Sequence, residues 1–192
     1  MSEEVQKNIT KTAGELFFRL GIRSVSIDDI CRELGISKKT FYVYFESKDA
    51  LIEHLLRANL AHTAQKMEHL LHNPDLRGVI TDLLHRRTEQ DDVRRVPQLV
   101  YDLKKYYPRQ FAAFQQQAFE QQKRYIRSFL ERGIAEGLVR ADLNIELTAV
   151  LMAKIYADAL RDFEEMEAEG YNLPQLGQAA LDVLMRGVLR ES

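Results

Sequence analysis

Two apolar stripes, each too short to stand as an independent helix, meet at a single glycine between residues 26 and 45. Ile27, Ile30, Cys31 and Leu34 recur on one side of a short helical segment that Gly35 ends, and Phe41 and Phe45 mark the inward side of the next. A glycine at that join supplies the positive φ that lets the second helix cross the first at a steep angle. Ser26, followed three residues later by Asp29, has the form of a capping box for the first short helix, and Ser37 can cap the second. The chain is therefore expected to build a tight helical pair, which has to pack on longer neighbours to bury its stripes.

Those neighbours are legible on either side. Val5, Ile9, Ala13, Leu16, Phe17 and Leu20 form a first helix closed by Gly21, and Ser47 caps a fourth that runs through Leu51, Leu55, Leu56, Leu60 and Met67 toward Asn73-Pro74. Beyond Pro74 the pattern stays helical, punctuated by Pro97, Pro108, Gly137, Gly170 and Pro174, and reads as about five further helices. The segment from Ile145 to Glu167 is apolar on two faces, Leu147, Val150, Leu151 and Ile155 on one and Ala149, Met152, Tyr156 and Phe163 on the other, which implies burial on two sides. The last segment places Leu176, Ala180, Val183, Leu184, Gly187 and Val188 on one side, as core or as a subunit interface. The expected fold is all-α, an N-terminal three-helix unit followed by a larger helical bundle, about nine helices in all.

Composition agrees and excludes several classes. Of 192 residues 45% are hydrophobic, enough for a real core, and the absence of Trp with only 4 Pro and 9 Gly favours helix. No apolar run reaches the length of a membrane span, and Met-Ser-Glu-Glu does not begin a secretory signal, so a cytoplasmic protein is expected, with no membrane partner. The lone Cys31 sits within an apolar stripe and reads as packing. Net charge is −2, so no global basic field advertises a nucleic-acid partner, and any such role has to rest on local geometry.

Local geometry supplies it. In a helix-turn-helix the second helix enters the major groove with its N-terminal end leading, which turns Lys38, Lys39, Thr40, Tyr42, Val43 and Tyr44 toward DNA and Phe41 and Phe45 inward. Helix N-termini favour acidic side chains, yet Lys38 and Lys39 open the third helix and Lys48 the fourth. Cations there cost a few tenths of a kcal/mol each, tolerable where main-chain N–H groups and ammonium groups act on the same phosphate. Solvated lysines on surface turns are the plain alternative, and Tyr42 and Tyr44 beside them shift the balance toward contact.

The residues Ile9, Ala13, Leu16, Phe17, Gly21, Ile27, Ile30, Leu34, Gly35, Ile36, Ser37, Thr40, Tyr42, Phe45, Lys48 and Leu51 resemble the N-terminal domain of the TetR family, and the string from Gly35 to Leu51 resembles its recognition-helix signature throughout. Phe41 where that family usually has Leu, and Cys31 where Ala is common, are apolar departures. The resemblance implies Ser26 and the second-helix start on phosphate; Lys38, Lys39, Thr40 and Tyr44 at or near bases; Tyr42 and Lys48 on phosphate; and Val43 against a thymine methyl, with the cap Ser37 in the same DNA-facing set. Thr40 has an alternative in bonding its own backbone, and Tyr44 in packing on the fourth helix. The resemblance also implies residues 1–47 as the DNA-binding domain and 48–192 as a helical domain for dimerisation and effector binding. It implies a homodimer built from the last two long helices on a pseudo-palindromic double-stranded operator, acting as a small-molecule-responsive repressor. A helical protein-interaction module with a degenerate helix-turn-helix is the rival; an enzyme lacks any assembled catalytic group.

For the effector cavity the candidates are His85, Tyr101, Phe111, Phe114, Tyr125, Phe129, Met152 and Tyr156, aromatic or apolar residues with a few polar tips that suit a plain core equally well. His54, His62, His69 and His72 along the fourth helix form no complete metal set, and no cofactor is expected. The carboxylates at Glu164, Glu165, Glu167 and Glu169 read as a solvated helix end.

Overall fold

The computed structural model describes residues 2–85 and 96–161, with positions 170, 179, 182, 183 and 185–189 beyond them. Among these it is helical: α1 (Ser2–Leu20), α2 (Ile27–Leu34), α3 (Lys38–Tyr44), α4 (Lys48–Leu71), α5 (Leu76–His85), α6 (Val96–Tyr106), α7 (Pro108–Ala135) and α8 (Ile145–Arg161). Residues 185–188 are helical again, and an isolated antiparallel bridge joins Val139 to Leu189. The all-α class agrees with the pattern read from the sequence, with eight of these helices spanned by the described residues. Phe163, Leu176, Ala180 and Leu184, and the acidic group at 164–169, lie outside the described residues.

The chain divides into two compact units, Met1–Ala61 with Arg94–Phe114, and His62–Val93 with Gln115–Ser192. The first unit is wider than the stretch 1–47 because α6 and the start of α7 supply Leu103 and Phe111 to its core. That core joins Ile9, Ala13, Leu16 and Phe17 of α1, Ile22 and Val25 of the following turn, Ile30 and Cys31 of α2, Phe41 of α3, Phe45, and Leu51 and Ile52 of α4. Each short helix thus contributes the face its periodicity assigns to the interior. Leu20 does not: the last member of the α1 stripe is 52% exposed, since the chain reverses at Gly21 before anything covers it.

The second unit packs Leu76 and Ile80 of α5 on Leu130 of α7, Val139, Met152 of α8, Met185 and Val188. Gly133 lies so close to Val139 that a Cβ there would fall 2.5 Å from its Cγ2, which fixes the turn leaving α7. Arg132 donates to the Leu71 carbonyl at the end of α4 and pairs with Glu136. On α8 one apolar face is filled by Ala149, Met152 and Ala153, whereas Leu147, Val150, Leu151 and Ile155 stand exposed within the chain. Val183 and Val188 were expected on one side, but Val188 is buried and Val183 is 70% exposed. Five residues on a helix turn through about 500°, so the two side chains point about 140° apart.

Candidate nucleic-acid interface

The two short helices stand where their caps place them. Ser26 opens α2 with a complete capping box: its hydroxyl accepts the Asp29 N–H at 3.2 Å and donates to the Asp29 carboxylate at 2.6 Å, while the Ser26 N–H donates to the same carboxylate at 2.9 Å. The Ser26 hydroxyl, its N–H and Arg32 together hold the Asp29 carboxyl below the ordinary carboxylate value. Gly35 ends α2 at φ +66°, and the Ile36 N–H returns to the Cys31 carbonyl. Ser37 then caps α3 by accepting the Thr40 N–H at 3.1 Å.

α3 separates its sides cleanly. Phe41 is fully buried and Phe45 nearly so, with their ring centroids 5.9 Å apart, while Tyr42 is 51% and Val43 73% exposed. Lys38 and Lys39 are exposed at its first turn. Thr40 is half-buried and its hydroxyl lies 2.9 Å from the Ser37 hydroxyl, a side-chain contact at the helix start and not a bond to its own backbone. Tyr44 is half-buried and packed on the core of the first unit. Ser26 and Ser37 both spend their hydroxyls on caps, so phosphate at these helix starts would meet main-chain N–H groups rather than serine side chains.

Lys48 departs most from expectation. Its ammonium is turned inward and donates to the carbonyls of Ile22 and Val25, each at 2.5 Å, lying 5.5 Å from the Phe17 ring centroid and 6.0 Å from that of Tyr107. Burial pushes its pKa below the ordinary lysine value, against the pull of Asp102, Asp49 and Asp29. A cation at a helix N-terminus is poorly placed by the dipole, and the two carbonyls draw it back into the protein. It is therefore a tie across the α1–α2 turn and not an exposed phosphate ligand.

The same turn is held from its other side by a residue the periodicity did not single out. Asp102 of α6 is 2% exposed, accepts the Arg23 N–H at 3.0 Å and the Gln98 amide at 3.1 Å, and lies 3.1 Å from where a Gly21 Cβ would sit. Gly21 adopts φ +84°, so glycine suits both the backbone and the space. Arg23 donates to the Tyr106 hydroxyl at 2.8 Å and stacks over that ring. A carboxylate flanked by Leu99, Val100 and Leu103 was the signal available in the sequence for an inward-facing acid.

The effector candidates fall in different surroundings. Phe111 is buried in the first unit with Phe114 packed on the same core; Met152 is buried in the second with Phe129 packed beside it. Tyr101 is exposed, accepting from Lys105 at 2.6 Å, and Tyr125 is half-buried. The side chains of His85 and Tyr156 lie outside the described set. His72 bonds the Glu68 carbonyl at 2.8 Å, and among the described residues no three metal-ligating side chains converge. Cys31 is buried, and burial raises its thiol pKa, in keeping with packing.

A tri-helical unit whose glycine-joined second and third helices bury one face and bare the other is the helix-turn-helix class. Residues 9–55 match the family profile described as bacterial regulatory proteins, tetR family. The HTH-type transcriptional regulator YvdT of Bacillus subtilis is 33% identical over 78 residues, 41% of this chain but 40% of its own length, so that the match spans less than half of that relative. YhgD, an HTH-type transcriptional regulator of the same organism, is 24% identical over 179 residues, covering 86% of this chain and 87% of its own. Among solved structures, the SmeT–triclosan complex superposes with a TM-score of 0.71 at 17% identity, covering 97% of this chain and 92% of that one; SmeT is the repressor of the Stenotrophomonas maltophilia multidrug efflux pump SmeDEF. Residues 9–55 are thus similar to the TetR-type N-terminal domain, and the relatives are named as transcriptional regulators.

Proposed function

We propose that the protein is a cytoplasmic, ligand-responsive transcriptional repressor that binds a pseudo-palindromic double-stranded DNA operator as a homodimer. The observation that carries the reading is the division of α3, with Phe41 buried and Lys38, Lys39, Tyr42 and Val43 bared at its leading end and outer face. Lys39 and Tyr42 would meet phosphate or base edges, Val43 a thymine methyl, and the edges of Thr40 and Tyr44 the groove wall; Ser26 and Ser37 would act by setting helix starts, and Lys48 by bracing the turn. Residues 1–47 carry this contact; 48–192 carry dimerisation and ligand binding.

Dimerisation is supported by the bare stripe Leu147, Val150, Leu151 and Ile155 on α8, with Val183 exposed and open space at Gly187. A stripe of that length on one helix is the form of a helix–helix seam. Two copies would set two recognition helices roughly 34 Å apart, one turn of DNA. Effector binding is supported by analogy with SmeT and its triclosan complex, and Phe111, Phe114, Tyr125, Phe129, Met152, Tyr156, Tyr101 and His85 remain the candidates for a small apolar ligand. Repression would be relieved because the ligand prefers a conformation whose helix spacing DNA does not accept.

The test is binding of the full-length protein to its own upstream DNA and to a selected random pool across a salt series, beside a Lys39→Ala, Tyr42→Ala double variant. Specific binding that weakens steeply with salt and is lost in the variant supports the reading. No specific binding to either DNA, with tight capture of a protein partner, would move the chain to the interaction-module class.

A further inference from the structure

Asp28 is a carboxylate set at the edge that the foregoing reading turns toward a polyanion, and this inference rests on that reading. It occupies the first turn of α2 and forms an ion pair across the helix-turn-helix with Lys38, the first residue of α3, at 2.7 Å between Nζ and Oδ1. Both side chains are exposed, 59% for Lys38 and 51% for Asp28. The neighbouring cation Arg32 pairs with Asp29 at 3.1 Å. Tyr42 lies one turn after Lys38 on the same helix and is exposed.

We infer that Asp28 is a positioning residue that sets DNA specificity by holding the Lys38 ammonium against α2 and keeping it off the phosphate backbone. Phosphate is the same on every sequence, so a cation free to reach it strengthens operator and non-operator binding alike. With Asp28 in place, DNA either takes Lys38 from its partner or docks beside an intact pair and a negative charge. Either course penalises contact that is driven by phosphate alone. A base pair that offers Lys38 a guanine O6/N7 edge gives a directed acceptor that offsets the loss. The pair thus lowers the affinity floor on random sequence more than the affinity for a matching site.

The experiment compares full-length wild type with Asp28→Asn, Asp28→Glu and Asp28→Asn, Lys38→Ala. Each is titrated over a salt series against a duplex selected from a random pool and an unrelated duplex of equal length. Asp28→Asn is expected to bind the unrelated duplex about three- to tenfold tighter near physiological salt, with a slope of log Kobs against log salt steeper by about 0.9 per protomer. Its gain on the selected duplex is smaller, so the specificity ratio falls. Asp28→Glu stays near wild type because it can keep the pair, and Lys38→Ala in the Asp28→Asn background removes the gain. Losing an acid from the α2 first turn lowers thermal stability; tighter DNA binding with a lower Tm is a combination that damaged packing does not produce. Wild-type binding matched by Asp28→Asn in affinity and slope on the unrelated duplex overturns this inference alone. Absence of salt-dependent binding by the wild type overturns the regulator reading and this one with it.

Discussion

Asp102→Ala tests whether α6 braces the turn that leads from α1 into the helix-turn-helix. The carboxylate is buried and accepts two N–H groups, one from the Arg23 main chain and one from Gln98. A hydrogen bond to a charged group contributes about 1.5–3 kcal/mol net, and water regains part of it here because Arg23 itself is exposed. Alanine also leaves a small void and withdraws the negative charge that favours the buried Lys48 ammonium. The expected loss is about 2–4 kcal/mol, a large part of the roughly 5–15 kcal/mol that holds a domain folded. Asp102→Asn keeps the shape and one acceptor oxygen, so its loss should be about half as large. The assay is urea unfolding followed by circular dichroism at neutral pH. With a slope near 2 kcal/mol/M, the midpoint of the first unit's transition should fall by about 1–2 M at unchanged slope. A shift under about 0.5 kcal/mol, or equal shifts for Ala and Asn, would refute the argument that a buried charged acceptor holds the turn.

Three other outcomes follow from the same structure. Phe41→Ala, which empties a fully buried site beneath α3, should cost about 3–5 kcal/mol and melt the first unit early, visible as a partial loss of helical signal on heating. The Asp29 carboxyl is held below its ordinary value of 3.8 in the folded state, so it adds stability above that pH and loses it as pH falls through the lowered value; Ser26→Ala should flatten this acid limb in a pH series of unfolding midpoints, besides costing about 1 kcal/mol as a lost cap. Leu147→Glu with Leu151→Glu on the bare face of α8 should convert a dimer into a folded monomer by sedimentation, and an unchanged mass would place the interface elsewhere.

What could be read along the chain were the features decided within a turn or two. The capping box of Ser26 and Asp29, the left-handed Gly21 and Gly35, and the inward Phe41 and Phe45 all depend on neighbours three or four residues away, and spacing alone reveals them. The TetR-like string from Gly35 to Leu51 is legible for the same reason, because a recognition helix has to carry its contacts and its core face in one short stretch. The α8 pattern was legible as two apolar faces, but not which of them the chain itself would cover.

Tertiary structure decided where the charges went. Lys48 reaches carbonyls 26 and 23 residues back, and Arg23 meets Asp102 at a separation of 79. No local rule contains those distances. A lysine at a helix start suits a phosphate and a buried carbonyl equally well until docking shows which of the two it can reach. The all-α fold and the division of α3 into a buried and a bare side were thus determined by sequence alone. Which side chains remained exposed on that bare side depended on packing, since a buried charge must find its partner wherever the folded chain supplies one.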